Sequence, residues 1–163
     1  MIRLITQPAG GPAALTVVDT GRLEAIWIKR AHREPMDPVQ LAQLDTLGGI
    51  VGNADYGSRR QVTVIAKEVW DRLPGRILAN VEPTARRANL MVSGIHLENT
   101  AGRILRIGDC RIRIQGETKP CNRMDEAYPG LKDALLANWG GGVYGQVLDD
   151  GEIKVGTVVT WAE

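Results

Sequence analysis

Residues 102–115 read GRILRIGDCRIRIQ, and the alternation in this stretch decides the fold class. Apolar residues fall at positions 105 and 107 before Gly108-Asp109, and at positions 110, 112 and 114 after it. A period of two predicts strands with one buried face. The apolar positions change from odd to even at Gly108-Asp109, which predicts a turn or bulge there.

The rest of the chain shows the same pattern of short β-rich runs between Gly-rich turns. The predicted strands cover residues 13–18, 23–28, 61–66, 88–92, 143–148 and 152–161. Two hairpins are predicted, one at Asp19-Thr20-Gly21 and one at Asp149-Asp150-Gly151 with Gly151 in a left-handed conformation. Short helices are predicted over 38–47 with Asp37 as the cap, over 67–73 with a stop at Pro74-Gly75, and over 131–138.

These patterns predict a mainly β fold, a closed or nearly closed β-barrel with a few short helices attached. The helical segments are too few and too short for a sheet built from β-α-β units. The length of 163 residues and a hydrophobic content of 44% suit one domain over residues 1–163. Because the chain has no Phe, its core is expected to consist mostly of Val, Ile, Leu and Ala.

Composition also limits the function. A net charge of +1 argues against a general nucleic-acid-binding protein. Arg greatly outnumbers Lys, a weak indication of an anionic ligand. No run has the length of a signal peptide or of a membrane span, and two Cys do not form a disulfide framework. We therefore expect a cytoplasmic protein with reduced thiols and no membrane or nucleic-acid partner.

The two cysteines occupy different contexts. Cys110 alternates with Ile112 and Ile114 and is expected to be a small core residue. Cys121 lies in the polar segment ETKPCNRM, residues 117–124, where Lys119 and Arg123 flank it. Nearby positive charge favours a thiolate, which is both a nucleophile and a soft metal ligand. An inert loop cysteine near basic residues is the alternative.

Other site motifs are missing from the sequence. It contains no paired-Cys zinc spacing, no phosphate-binding loop and no dinucleotide fingerprint. His32 and His96 are far apart in the sequence, and each has an ordinary surface or core explanation. Cys121 therefore remains the main candidate for chemistry.

An ordered set of segments resembles the MOSC domain, which occurs at the C-terminus of molybdenum cofactor sulfurases and in stand-alone bacterial proteins. The resemblance spans roughly residues 48–160, and the chain looks like a stand-alone bacterial-type member. The segments are RQVTV at 60–64, RANLMVSGI at 87–95, GDC at 108–110, ETKPC at 117–121, GGVYGQV at 141–147 and GEIKVG at 151–156.

The resemblance implies a β-barrel and places Cys121 at the position of the family's functional cysteine. That cysteine is taken either as a thiolate ligand to molybdenum in a pterin cofactor or as a sulfur carrier in persulfide form. Arg87 and Asn89 fall in the family's Arg-x-Asn stretch, where they either hold the phosphate or pterin of the cofactor or brace the barrel. Lys119 and Arg123 are further candidates for holding the cofactor.

The chain also departs from the family pattern. Related members often carry an acidic residue and a His where this chain has Asn53-Ala54-Asp55-Tyr56. Nothing resembles the pyridoxal-phosphate domain of the full sulfurases, so pyridoxal phosphate is not expected on this domain, and Lys119 is not expected to form a Schiff base.

Three functions stay open at the level of sequence. The first is a molybdenum-cofactor-binding enzyme module that reduces N-hydroxylated or similar small substrates with electrons from a donor protein. The second is a sulfurtransferase module in which Cys121 accepts sulfur from a cysteine desulfurase. The third is a non-catalytic barrel that binds a ligand or partner.

Overall fold

A computed structural model describes residues 2–6 and 15–162. Twelve strands and four short α-helices are assigned within these residues. The strands are β1 Ile2–Thr6, β2 Leu15–Lys29, β3 Met36–Val39, β4 Leu41–Asp45, β5 Gly49–Ile50, β6 Val62–Ala66, β7 Leu90–Ser93, β8 Ile104–Ile107, β9 Cys110–Glu117, β10 Val143–Val147, β11 Gly151–Lys154 and β12 Val158–Ala162. The helices are α1 Lys67–Asp71, α2 Gly75–Leu78, α3 Asn122–Ala127 and α4 Leu131–Leu136, and 3-10 turns cover Pro83–Arg86 and Ala137–Trp139.

Seven of these strands close into a barrel in the order β2, β12, β8, β9, β10, β6, β7 and back to β2. The β6–β7 pair is parallel and the other pairs in the ring are antiparallel. Aliphatic side chains fill the interior, among them the fully buried Leu23, Val64, Leu90 and Ile112. The predicted barrel with a few short helices is confirmed.

The turn predicted at Gly108-Asp109 is confirmed. It joins β8 to β9, which pair with Ile107 opposite Cys110, and Gly108 has a φ of 58°. Leu105, Ile107 and Cys110 are buried, as the alternation predicts. The alternation of apolar residues predicts this turn correctly because β8 and β9 each bury one face in the same barrel.

The hairpin predicted at Asp19-Thr20-Gly21 is wrong, because these residues lie inside the continuous strand β2. Residues 13 and 14 of the predicted first run lie outside the described residues. Along its length β2 pairs in turn with β1, β12, β7 and β3. A Cβ at Gly21 would overlap the carbonyl oxygen of Ser93. Gly21 therefore allows β7 to pack close to β2, and it does not form a turn.

The helix predicted over 38–47 with Asp37 as its cap is also wrong. This segment forms β3 and β4, in which Ala42 and Leu44 are buried while Leu41 and Gln43 are exposed. Pro38 is tolerated because β3 pairs with β2 on one side only. The strands β11, β4 and β5 form a separate three-stranded sheet, whose pairing overrides the local helical signal.

The hairpin predicted at Asp149-Asp150-Gly151 is not formed either. Strand β10 pairs with β9 and β6, whereas β11 pairs with β4. Gly151 is not among the glycines with positive φ, and the run 152–161 is interrupted at Gly156, where φ is 96°. The Asp149 carboxylate accepts hydrogen bonds from Arg111. Asp149-Asp150 therefore connects a barrel strand to a strand of the three-stranded sheet, and it does not form a hairpin.

The helices form a layer with a small core of its own. This core is formed by Trp70, Leu73, Ile77, Val81, Met124, Leu131 and Leu135. The predicted helix 67–73 is present as α1, which ends at Asp71 before Pro74, and Pro74 is the N-cap of the next helix, α2. The predicted helix 131–138 is present as α4 and the 3-10 turn after it. No helix in the described part of the chain is long and apolar enough to cross a membrane.

Candidate functional site

Cys121 lies at the junction between β9 and the helical layer. Its side chain is exposed, and its backbone is extended at φ −120° and ψ −179°. Cys121 is the N-cap residue of α3, its carbonyl accepts a hydrogen bond from Met124 N at 2.9 Å, and its side chain caps no backbone group. The preceding Pro120 is buried. The thiol is thus presented by a loop that is fixed at both ends.

Arg86 holds the loop that carries Cys121. Its guanidinium donates from Nε to Gly141 O at 2.9 Å and from Nη2 to Thr118 O at 3.1 Å. Thr118 N also donates to Gly142 O at 2.8 Å. A Cβ at Gly141 would overlap Thr118 O and press on Pro120. The close approach of the two loops therefore depends on glycine at this position.

Arg86 interacts electrostatically with both Cys121 and Arg60. Burial of the guanidinium lowers the pKa of Arg86 from its ordinary value, Cys121 opposes this change by charge interaction, and Arg60 adds to it. Arg60 stacks over the Tyr144 ring at 5.0 Å from the centroid. Neither arginine takes part in an ion pair within the described residues. Two guanidinium groups and one thiol thus lie close enough to interact through their charges.

One polar atom of the Cys121 loop has no partner. Thr118 is buried, and within the described residues its hydroxyl oxygen makes no hydrogen bond. A buried hydroxyl without a partner carries a free-energy cost that a bound ligand or water can remove. This atom lies in the segment whose backbone is held by Arg86, three residues before Cys121.

Arg87 and Asn89, predicted from the resemblance, make other contacts. The Arg87 guanidinium donates to the carbonyl oxygens of Glu34 at 2.5 Å and Ala31 at 3.4 Å. Asn89 is buried and donates from Nδ2 to Trp27 O at 3.2 Å and to Asn53 Oδ1 at 3.1 Å. Arg87 thus holds the loop between β2 and β3, whereas Asn89 braces the barrel, and a cofactor-binding role for either residue stays a prediction.

The Asn89 carboxamide oxygen completes this bracing role, since it accepts hydrogen bonds from Thr63 N at 3.1 Å and Thr63 Oγ1 at 3.2 Å. Asn53, in the loop that departs from the family pattern, is buried beside it and accepts from Lys29 N at 2.9 Å.

Sequence reasoning missed Arg86 and Arg60. The pair Arg86-Arg87 offers two adjacent guanidinium groups, and the sequence does not show which one faces the cysteine. Arg87 has a φ of 59°, so the backbone turns sharply between the 3-10 turn and β7. This turn separates the two side chains. The predicted Lys119 and Arg123 are exposed and form no ion pair within the described residues.

Cys121 has no cluster of metal ligands around it. No group of three or more His, Cys, Asp or Glu residues that could hold a metal ion occurs in the described part of the chain. Any metal bound at Cys121 would therefore take most of its ligands from its own cofactor. Cys110 is buried as predicted, and burial, followed by the charges of Asp149, Asp109 and Asp150, raises the pKa of its thiol.

Comparison with known proteins identifies the family of this chain. A family model described as "MOSC domain" matches residues 51–160, and these residues include the Cys121 loop, Arg60 and Arg86. The chain belongs to the MOSC domain family. The resemblance read from the segments between residues 48 and 160 is thereby confirmed.

Solved structures with the same fold include two stand-alone MOSC proteins, YuaD and YiiM. The YuaD protein from Bacillus subtilis is 18% identical at a TM-score of 0.72, covering 99% of this chain and 98% of that one. YiiM from Geobacillus stearothermophilus is 17% identical at a TM-score of 0.70, covering 88% of this chain and 75% of that one. YiiM from Escherichia coli is 17% identical at a TM-score of 0.64, covering 87% and 70%. No curated protein matches this MOSC chain.

Proposed function

We propose that this MOSC domain binds the molybdenum cofactor with Cys121 as a thiolate ligand to the metal. The observation that carries the proposal is the charge interaction between an exposed thiol and Arg86, a desolvated guanidinium that has no carboxylate partner among the described residues. A soft thiolate suits molybdenum, and guanidinium groups suit the phosphate of a pterin cofactor.

The residues at the site fit such a cofactor. Arg86 interacts electrostatically with Cys121 and holds its loop through Thr118 O and Gly141 O. Arg60 would bind the anionic end of the cofactor, and the unpartnered Thr118 hydroxyl would be satisfied there. When bound, the cofactor would supply electron transfer to a small N-hydroxylated or similar substrate, with electrons from a donor protein.

Metal analysis tests this proposal. Protein purified from a host that makes the cofactor should contain molybdenum and pterin in equal amounts, and Cys121→Ser should lose the molybdenum. Serine provides a hard hydroxyl that is a poor ligand for a soft metal at neutral pH. Cys110→Ala is the matched control, because it removes the buried thiol and leaves Cys121 in place. A Cys121→Ser protein that keeps its molybdenum would contradict the proposal.

The exposure of Cys121 favours a second candidate, a sulfur-carrier domain. A persulfide forms only on a thiolate that a sulfur donor can reach, and Cys121 is exposed. Incubation with a cysteine desulfurase and cysteine should then add one sulfur atom to the wild-type protein and none to Cys121→Ser, as measured by intact-protein mass spectrometry. A protein that gains no sulfur and holds no molybdenum would leave the third candidate, a non-catalytic binding domain.

A further inference from the structure

A cleft of about 970 Å³ lies at the barrel end where β6 and β7 finish. Its walls are α1, the segment 94–99 and the stretch from α4 to Trp139, and Cys121 is not among the residues that line it. Clefts of roughly 300–1,000 Å³ are typical of small-molecule sites. This cleft is separate from the Cys121 site, and nothing in the proposed function uses it.

Part of the backbone that lines the cleft has positive φ angles, which are unusual for residues other than glycine. Five non-glycine residues in the described part of the chain have positive φ, and three of them, Asn99, Asn138 and Trp139, line this cleft. A left-handed conformation is especially costly for a large side chain such as Trp. The conformation is held in place by a hydrogen bond from Gly142 N to Trp139 O at 2.9 Å. Such strain collects at ligand sites, where it fixes the direction of a side chain.

Glu68 supplies a specific acceptor in the cleft. Its Oε1 accepts a hydrogen bond from Gly94 N at 2.6 Å, which fixes the carboxylate. Its other carboxylate oxygen has no protein donor among the described residues. A carboxylate held in this way accepts a further hydrogen bond most strongly from an ammonium group or an N–H donor.

The surrounding charge favours the same kind of group. Glu68 and Glu98 line the cleft against a single arginine, Arg72, whose Nε already donates to Glu68 O at 3.0 Å. His96, also in the lining, lies beside Asp19 at 3.4 Å. The neighbouring Lys67 is paired with Asp71. Acidic side chains therefore outnumber the one arginine in the lining of the cleft, which disfavours an anionic ligand.

We propose that this cleft binds a small aromatic amine, whose ring stacks on Trp139 and whose amino group donates to Glu68. The half-buried indole of Trp139 offers a flat apolar surface. The Asn99 and Asn138 carboxamides add hydrogen-bonding groups at the rim.

Three indoles of nearly equal size test the ligand class. Calorimetric titration should show that tryptamine binds at least tenfold more tightly than tryptophol, which has a neutral hydroxyl group, and that indole-3-acetate does not bind. Equal affinity for the three compounds, or no binding of tryptamine, would overturn the proposal.

Two variants test the residues. Glu68→Gln keeps an acceptor for Gly94 N but loses the charge, so it should weaken tryptamine binding at least tenfold and leave tryptophol unchanged. Glu152→Gln, an exposed change on β11, is the matched control and should change neither. If Glu68→Gln and Glu152→Gln bind tryptamine equally well, Glu68 is not the acceptor and the proposal fails.

Trp139→Gly is compatible with the positive φ and removes the ring, so it should weaken tryptamine and tryptophol together by a similar factor. Circular dichroism of each variant shows whether it is folded. None of these measurements depends on molybdenum content, so their failure leaves the proposal for Cys121 untouched.

Discussion

Cys121 occupies a position where serine would be the better structural choice. It is the N-cap of α3, its backbone is extended, and its thiol caps nothing. Ser is among the preferred N-cap residues, because its hydroxyl accepts a hydrogen bond from the first turn. A cysteine here contributes little to the helix, which agrees with a chemical role for the thiol.

Cys121→Ser should therefore fold as well as the wild type or slightly better. We expect the free energy of unfolding to stay the same or to rise by about 0.5–1 kcal/mol, because the new hydroxyl can cap α3. Thermal unfolding measures this change, and Cys121→Ala, which cannot cap, is the control. A large loss of stability in Cys121→Ser would show that the thiol is a packing residue.

Arg60 and Arg59 form a natural pair of variants for the proposed anion site. Both are exposed neighbours, but only Arg60 stacks on Tyr144 and interacts with Arg86. Arg60→Gln should lower the pterin and molybdenum retained after dialysis by about tenfold, since one charge-assisted contact is worth roughly 1.5 kcal/mol. Arg59→Gln should retain the wild-type amount. Equal retention by the two variants would remove Arg60 from the site.

At the scale of elements, Asn89 joins three strands through its side chain. It connects the start of β7 to Thr63 on β6 and to Trp27 on β2. All of these groups lie in or near the barrel wall, where an unmade hydrogen bond cannot be replaced by solvent.

Asn89→Ala should consequently destabilise the protein by about 2–4 kcal/mol, because several buried donors and acceptors lose their partner. Urea unfolding measures this loss, and Asn80→Ala, an exposed asparagine on the helical layer, should change stability by less than about 0.5 kcal/mol. If the Asn89→Ala protein is folded and binds the cofactor normally, the Asn89 side chain only braces the barrel. Unchanged stability with lost cofactor would instead support the cofactor contact predicted from the resemblance.

The ion pair of Arg111 and Asp149 ties β9 to the segment after β10. Arg111 donates to Asp149 from its backbone N at 3.0 Å, from Nε at 2.8 Å and from Nη2 at 3.0 Å. These hydrogen bonds lower the pKa of Asp149 in the folded protein. The Asp149 carboxylate therefore stabilises the fold fully above its unfolded pKa, which is about 3.9, and this contribution is lost as the pH falls through the lower folded pKa.

Asp149→Asn should make the stability less dependent on pH below about pH 4, because the titrating carboxylate is gone. Unfolding by urea at a series of acidic pH values measures this dependence. Asp109→Asn, an exposed acid in the β8–β9 turn, is the control. If the free energy of unfolding depends on pH in Asp149→Asn as it does in the wild type, the ion pair of Arg111 and Asp149 is not coupled to folding.

At the scale of the whole molecule, closure of the barrel depends on β2, which pairs with both β12 and β7 around Gly21. A Cβ at this glycine would overlap Ser93 O on the neighbouring strand. Gly75 differs, because a Cβ there would meet nothing within 4 Å.

Gly21→Ala should destabilise the protein by about 2–3 kcal/mol, since one strand must move away from the other. Gly75→Ala should instead raise stability by about 0.5 kcal/mol, because alanine restricts the unfolded chain without a clash. Thermal unfolding separates the two variants, with a lower Tm expected for the first. Equal Tm values would mean that the β2–β7 contact adjusts without cost.

The sequence by itself determined the barrel class, the turn at Gly108-Asp109 and the contrast between Cys110 and Cys121. These features have local signatures, because a buried strand repeats every two residues and a polar loop has no apolar period. Tertiary structure alone decided that β10 pairs with β6 rather than β11, that Gly21 lies inside a strand, and that Arg86 rather than Arg87 interacts with Cys121 through its charge. Such pairings join residues distant in the chain, and only the packing of the whole barrel selects among partners that are locally equivalent.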